Sequence, residues 1–240
     1  MSHCHNMKMK NKKAEQIAAK QKHKEQLKAK RQTEPNLERL VAELTEKPTI
    51  LIVCEGKNTE PSYFNQFRLS SAVVKPVGEG YNTVSLVERA IQLAKGDKYD
   101  RVWCVFDKDD FSENDFNSAI LMAQAQNFGV AYSNQSFEYW LILHFDDHQG
   151  GGMHRRDYND KINELLKPFN ITYDGNGNKK VSESFFELLD GIDTRTNNKR
   201  VDLAVWRAER NFNQFDHTSP AKEESSTTVF RLVKELLKYL

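Results

Sequence analysis

Two short acidic groups in this chain are placed as residues that handle metal ions and phosphate would be. The first is Cys54-Glu55-Gly56-Lys57-Asn58-Thr59-Glu60 and the second is Asp107-Lys108-Asp109-Asp110. Each follows a continuous apolar run, Thr49–Cys54 and Arg101–Phe106, of the kind found in strands buried on both faces of a parallel sheet. In such sheets ligands bind beyond the carboxyl ends of the strands, where strand order reverses. If the two strands are neighbours, their acids converge on one crevice. In an extended chain alternate side chains share a side, so Asp107 and Asp109 are expected to point together while Lys108 points away. Two carboxylates so placed repel, and a hard cation with oxygen ligands relieves the repulsion. Mg²⁺ (or Mn²⁺) suits this, because Mg²⁺ typically takes one or two carboxylates, keeps waters and completes its shell with substrate phosphate.

Around that pair the other residues acquire expected roles. Glu55 ligates a metal or exchanges a proton with the attacking or leaving oxygen. Gly56 lets the backbone turn sharply and a phosphate approach closely. Lys57 offers a point charge to phosphate, and Glu60 holds a second metal directly or through water, as in two-metal sites with ions about 4 Å apart. Asp110 extends the acidic patch. Each acid alone has a plainer reading: Asp109 or Asp110 as a cap for the following helix, Glu60 as a first-turn carboxylate favoured by the helix dipole. It is the pair of clusters, each after a buried strand, that points to chemistry.

The elements that must position these residues can be read from periodicity. Strands are expected at Thr49–Cys54, Ala72–Val77, Arg101–Phe106 and Val130–Tyr132. Helices are expected from Thr59, with Thr59 as cap and Pro61 in the first turn, at Thr83–Lys95 with Val84, Val87, Ile91 and Ala94 on one face, at Asn114–Gln126 and at Phe137–His144. Short apolar strands alternating with amphipathic helices predict a doubly wound, Rossmann-like α/β domain with a mostly parallel sheet flanked by helices. Residues 48–149 form that core. Residues 1–47 are a basic arm with a solvated helix near Ala14–Lys30 and a short amphipathic turn at Leu37–Leu44. After Gly150-Gly151-Gly152, residues 150–240 read as a helical extension packed on the core, with helices at 156–167, 183–190, 199–212 and 226–239 and a turn at Asp174–Asn178.

Composition narrows the class. The 240 residues are 38% hydrophobic, with 14 Phe, 8 Tyr and 3 Trp, enough for a sizeable core. No run of about 18 apolar residues marks a membrane span, and the lysine-rich amino end lacks a secretory signal, so a cytoplasmic site is expected. Cys4, Cys54 and Cys104 make no zinc or disulfide framework. Residues 1–34 hold ten Lys/Arg against three Glu, while the remainder holds 25 basic against 31 acidic. A basic arm on an acidic body suits either nucleic-acid backbone binding or solubilisation. Arg155-Arg156, Lys179-Lys180 and Lys199-Arg200 are basic pairs in or beside loops, able to meet phosphates but usually just solvated. Glu138, opening a helix after the fourth strand, is a candidate for a supporting contact. His144 and Trp140 read as packed residues. Ser136 and Ser225-Ser226 have no paired base, and Gly78-Glu79-Gly80 is too short for a phosphate loop, which disfavours serine hydrolysis and small-molecule phosphoryl transfer.

At the two acidic groups the sequence resembles the Toprim domain, whose pattern is a Glu after the first strand and Asp-x-Asp after the third; these correspond to Glu55 and to Asp107 with Asp109. More narrowly it resembles the RloB family of bacterial phage-defence proteins, through Ile50–Phe64, Val105–Asp109, Ser133–Phe145 and Ser226–Val233. Gln135 and Glu224-Ser225 depart from the more Pro-containing versions expected there. The resemblance implies that Glu55 acts in proton transfer, that the aspartates hold Mg²⁺, and that the protein cleaves nucleic acid, RNA (including transfer RNA) favoured over DNA, as an antiphage effector beside an ATPase partner. A homo-oligomer is compatible with it. The competing reading is a non-catalytic module that binds nucleic acid or an ATPase and carries a regulatory metal site.

Overall fold

A computed structural model describes residues 18–25, 28, 47–77, 83–149 and 151–240, the side chain of Arg155 excepted. Leu37–Leu44, Gly78-Glu79-Gly80 and most of the basic arm lie outside those residues. Within the unit Met1–Glu46, residues 18–25 and 28 are helical and exposed. Lys47–Leu240 forms a second compact unit, to which all the following belongs.

Its centre is a five-stranded sheet of order β2-β1-β3-β4-β7. The strands are β1 (Ile50–Cys54), β2 (Ala72–Pro76), β3 (Arg101–Asp107), β4 (Gly129–Asn134) and β7 (Ser226–Thr227). The first four are parallel and β7 pairs antiparallel with β4. Every residue of β1 is wholly buried, as its unbroken Ile-Leu-Ile-Val-Cys requires: a strand with no polar side has two covered faces. The helices α1 (Thr59–Asn65), α2 (Thr83–Gly96), α3 (Glu113–Ala125) and α4 (Glu138–Ile142) follow β1, β2, β3 and β4 in turn. This is the Rossmann-like alternation expected.

Trp103 and Phe106 of β3 are an odd number of residues apart and so leave opposite faces of the sheet. Phe106 meets Phe116 of α3 edge-on, with ring centroids 5.5 Å apart. Trp103 donates from its indole Nε1 to Glu235 Oε2 at 2.8 Å, tying α8 (Val229–Leu237) to the other face. The Trp103 ring lies over its cross-strand neighbour Gly129, where a Cβ would fall 2.4 Å from it.

The region after residue 150 is less purely helical than its composition implies. It holds α5 (Arg155–Leu166), α6 (Glu183–Asp190), α7 (Arg200–Phe212) and α8, but also the hairpin β5 (Ile192–Asp193) and β6 (Asn198–Lys199), and it supplies β7 to the central sheet. Thr228 extends that join, its hydroxyl donating to Val130 O and accepting from Tyr132 N. On α2 the fully buried stripe is Thr83, Leu86, Val87 and Ala90, with Val84, Ile91 and Ala94 at its flank. Among the described residues no helix is long and apolar enough to cross a membrane.

His144 is a packing residue, as expected. It is buried, meets Trp140 edge-on at 4.9 Å, and its Nδ1 lies 3.0 Å from Trp140 O, so Nδ1 carries the proton. Burial, reinforced by the Arg207 and Arg200 charges, pushes its pKa down from 6.5 to about 3. Between those values the unfolded chain binds a proton that the folded protein does not, so stability is lost as pH falls below 6.5. The expected slope is about 1.4 kcal/mol per pH unit. Urea unfolding of wild type and His144→Gln at pH 7.5, 6.5 and 5.5 checks this: the wild type should lose more stability across the series than the variant, and parallel curves would contradict it.

Candidate active site

The strand order reverses between β1 and β3, since the chain runs from β1 outward to β2 on one side and returns to β3 on the other. That reversal leaves a crevice at the carboxyl ends of the two strands. Glu55 is the residue after β1 and Asp107 is the last of β3. The ladder continues one step, Glu55 N donating to Val105 O at 2.9 Å. Glu55 Oε2 then accepts the Asp107 backbone N–H at 3.3 Å. Acids from segments fifty residues apart in sequence are thus brought together by strand pairing and held by a backbone hydrogen bond.

Asp107 is the buried centre of the group, 7% exposed. Its Oδ2 accepts the Phe137 N–H at 3.0 Å, while its Oδ1 is buried with no hydrogen-bond partner. Burial first, then the carboxylates of Glu60, Asp109 and Glu138, hold its carboxyl well above the ordinary carboxylate range. A buried, under-bonded carboxylate oxygen facing other carboxylates is destabilising by itself, and it is the donor that a hard divalent cation uses.

Asp109 reaches the site by another route than the expected strand alternation. β3 ends at Asp107, and Asp109 sits in a turn with φ of 40°, a left-handed conformation uncommon outside glycine. The turn is fastened to the continuation of β4 by Lys108 N to Ser133 O at 2.9 Å and Asp109 N to Gln135 O at 3.0 Å. The Lys108 ammonium donates to the carbonyl of Phe111 in its own loop. Asp110 is exposed.

Glu60 lies in the first turn of α1 and is 5% exposed. Its Oε2 occupies the space beside Gly56, where a Cβ would come within 2.3 Å. Gly56 therefore makes room for this carboxylate; the chain bends through residues 55–58 without a left-handed φ at Gly56. Lys57, one residue on, is exposed. Thr59 is not the helix cap; that position falls to Asn58, without a side-chain bond. Thr59 Oγ1 instead lies 3.1 Å from the hydroxyl of Tyr173.

Tyr173 is the residue that sequence reasoning missed. It is buried, and its hydroxyl donates to Glu138 Oε1 at 2.7 Å. Its single proton being spent there, Thr59 must donate to it. Ser136 donates to the other Glu138 oxygen. Asn163 on α5 clamps the Tyr173 backbone, accepting its N–H and donating to its C=O, both at 2.8 Å. Burial and the Glu138 charge raise the Tyr173 phenol far above its usual pKa, so it stays a proton donor. Only its position just before the Asp174–Asn178 turn marks it in sequence.

Of the basic pairs, Arg156 and Lys179 line a cleft with Glu138, Asn159, Gly175 and Asn176. Lys180 is exposed, and the Arg155 side chain lies outside the described residues. Lys199 forms an exposed pair with Asp190 at 3.4 Å. Arg200 is buried against Phe145 and Phe169, which makes it structural.

The donor set fits a divalent ion bound through oxygen. Asp107 and Asp109 would hold it, with Glu55 and Glu60 in the surrounding acidic wall. Among the described residues no three His, Cys, Asp or Glu side chains form a ready-made cage, so an ion held there would take most of its ligands from outside the protein, as Mg²⁺ usually does.

Two outcomes follow. Asp107→Asn removes a buried charge from among like charges while keeping an acceptor for Phe137 N–H. In EDTA it should melt a few degrees above wild type, roughly 1 kcal/mol, and Mg²⁺ should no longer raise its Tm; a lower melting point would contradict the repulsion described. Gly56→Ala should displace only the Glu60 carboxylate, leaving the EDTA melting temperature nearly unchanged while shrinking the Mg²⁺-induced rise, as thermal melts with and without ion will show.

No curated protein and no solved structure matches this chain. The family described as RloB-like protein matches residues 50–236, a span running from the first residue of β1 into the last turn of α8 and holding every acid of the crevice. The chain belongs to the RloB-like family.

Proposed function

We propose that this protein is a metal-dependent endonuclease that hydrolyses nucleic-acid phosphodiester bonds, RNA favoured over DNA, as an effector of antiphage defence. The observation that carries the reading is Asp107: a buried carboxylate with an oxygen lacking any hydrogen bond, at the strand-order reversal, beside Glu55. The Glu-then-Asp-x-Asp order matches the Toprim pattern, and the open ligand set leaves places for phosphate oxygens.

Mg²⁺ or Mn²⁺, held by Asp107 and Asp109, would supply charge neutralisation at the phosphoryl oxygens. The protein's own groups have separate tasks. Glu55, with one oxygen fixed on the Asp107 N–H, exchanges a proton with the attacking or leaving oxygen. Glu60 extends the acidic wall. Lys57, exposed beside the loop, and the Arg156 and Lys179 pair offset phosphate charge along the strand. An ATPase of the same defence locus is the proposed partner.

The alternative is a regulatory ion site on a non-catalytic module. End-labelled RNA and DNA, incubated with purified protein in Mg²⁺, Mn²⁺ or EDTA, separate the two. The nuclease reading expects scission that needs metal and falls on the order of a hundredfold or more in Glu55→Ala and Asp107→Asn. Scission by wild type and both variants alike would refute it, and binding without scission, with and without an ATPase of the locus, would favour the module.

A further inference from the structure

The cleft beside the acidic group combines one acid with two cations, which suits one particular piece of a substrate. It is lined by Glu138, Arg156, Lys179, Asn159, Gly175 and Asn176, and Glu138 belongs to both places, since its charge also acts on Asp107. Asn159 Oδ1 is taken by Gly175 N at 2.9 Å, which leaves its amide nitrogen as a donor.

A phosphate cannot lie against Glu138, because two anions would meet in a partly buried place. What lies there must donate a hydrogen bond. The carboxylate is prepared for it: one oxygen accepts from Tyr173 and the other from Ser136, which fixes its orientation and still leaves acceptor lone pairs, since a carboxylate has about four such sites. Arg156 and Lys179 suit the opposite group, a phosphate.

We propose that this cleft binds the nucleotide next to the scissile bond, with its far phosphate between Arg156 and Lys179 and its ribose 2′-hydroxyl donating to Glu138. The inference rests on the nuclease reading, because it takes the acidic crevice to hold one phosphate. In this arrangement the next phosphate along the strand is assigned to the two cations, and the sugar that joins the two phosphates to Glu138. A 2′-hydroxyl is the donor that RNA has there and DNA lacks. Tyr173 is a positioning residue in this arrangement. It acts through Glu138, and its place is set by Asn163 and Thr59.

The test uses binding without cleavage. In Mg²⁺, with Glu55→Ala present in every chain compared so that the strand is not cut, fluorescence anisotropy measures the full chain with a labelled single-stranded RNA of about 12 nucleotides, with the same sequence as DNA, and with RNAs carrying one 2′-deoxy position each. RNA should bind about tenfold more tightly than DNA, the value of one hydrogen bond to a charged group, and one 2′-deoxy position should reproduce most of that loss without any change to the protein. Arg156→Ala with Lys179→Ala should weaken RNA and DNA alike and lower the slope of log affinity against log salt by about one or more. Glu138→Ala should bring RNA down to the DNA level. Equal binding of RNA and DNA by Glu55→Ala alone, or a salt slope unmoved when Arg156→Ala and Lys179→Ala are added to it, overturns the proposal. Binding as expected with no scission by wild type in Mg²⁺ would overturn the nuclease reading instead, and scission by wild type with an unmoved slope would overturn the subsite alone.

Discussion

Everything at the carboxyl edge of this sheet depends on negative charge held where it is unfavourable. Asp107 is enclosed by strand ends and by the start of α4, accepts one backbone N–H, and otherwise faces Glu60, Asp109 and Glu138. Such an arrangement persists only when the surrounding structure over-determines it. The supports are visible: complete burial of β1, the β1–β3 pairing that sets Glu55 on the Asp107 N–H, and the fastening of the Asp109 turn to the end of β4. Removing any one of them would let the repulsion between the carboxylates move them apart.

The carboxylates do not have equal positions in that scheme. Asp107 and Glu55 are placed by the sheet itself, so their relation is as rigid as the strand pairing. Glu60 is placed by the first turn of α1 and by the room left at Gly56. Glu138 is placed by hydroxyls, from Ser136 beside it and from Tyr173 in the far half of the chain. The site is thus graded, from an inner part fixed by backbone to an outer part fixed by side chains, where the cleft with Arg156 and Lys179 begins. Variation in the outer part is compatible with an unchanged inner one.

Much of this was legible in the sequence because it rests on local rules. An unbroken β-branched run such as Ile50–Cys54 has few alternatives to a buried parallel strand, and the residue after it lies at the sheet edge by necessity. The same logic located Asp107. What escaped rests on distant contacts or on elements too short to have a period. Tyr173 lies 114 residues from Thr59 and gains its role only through folding. The two-residue strands β5, β6 and β7 show no alternation to read. Asp109 was placed in the right neighbourhood by the wrong geometry, because a left-handed turn at an aspartate leaves no trace in residue spacing. Gly56 was read as room for a substrate, and the room is taken by Glu60.

The pairing of β7 with β4 has a consequence for how the protein is made. Domains fold as they emerge, amino end first, and the strands bearing Glu55 and Asp107 leave the ribosome well before residues 226–227 exist. Until then β4 is an open edge, α8 is missing from the face over Trp103, and before residue 173 appears Glu138 has lost one of its two hydroxyl supports. The central sheet therefore gains its fifth strand only after all the acids of the crevice have been made, and β4 keeps an unpaired edge until residues 226–227 reach it.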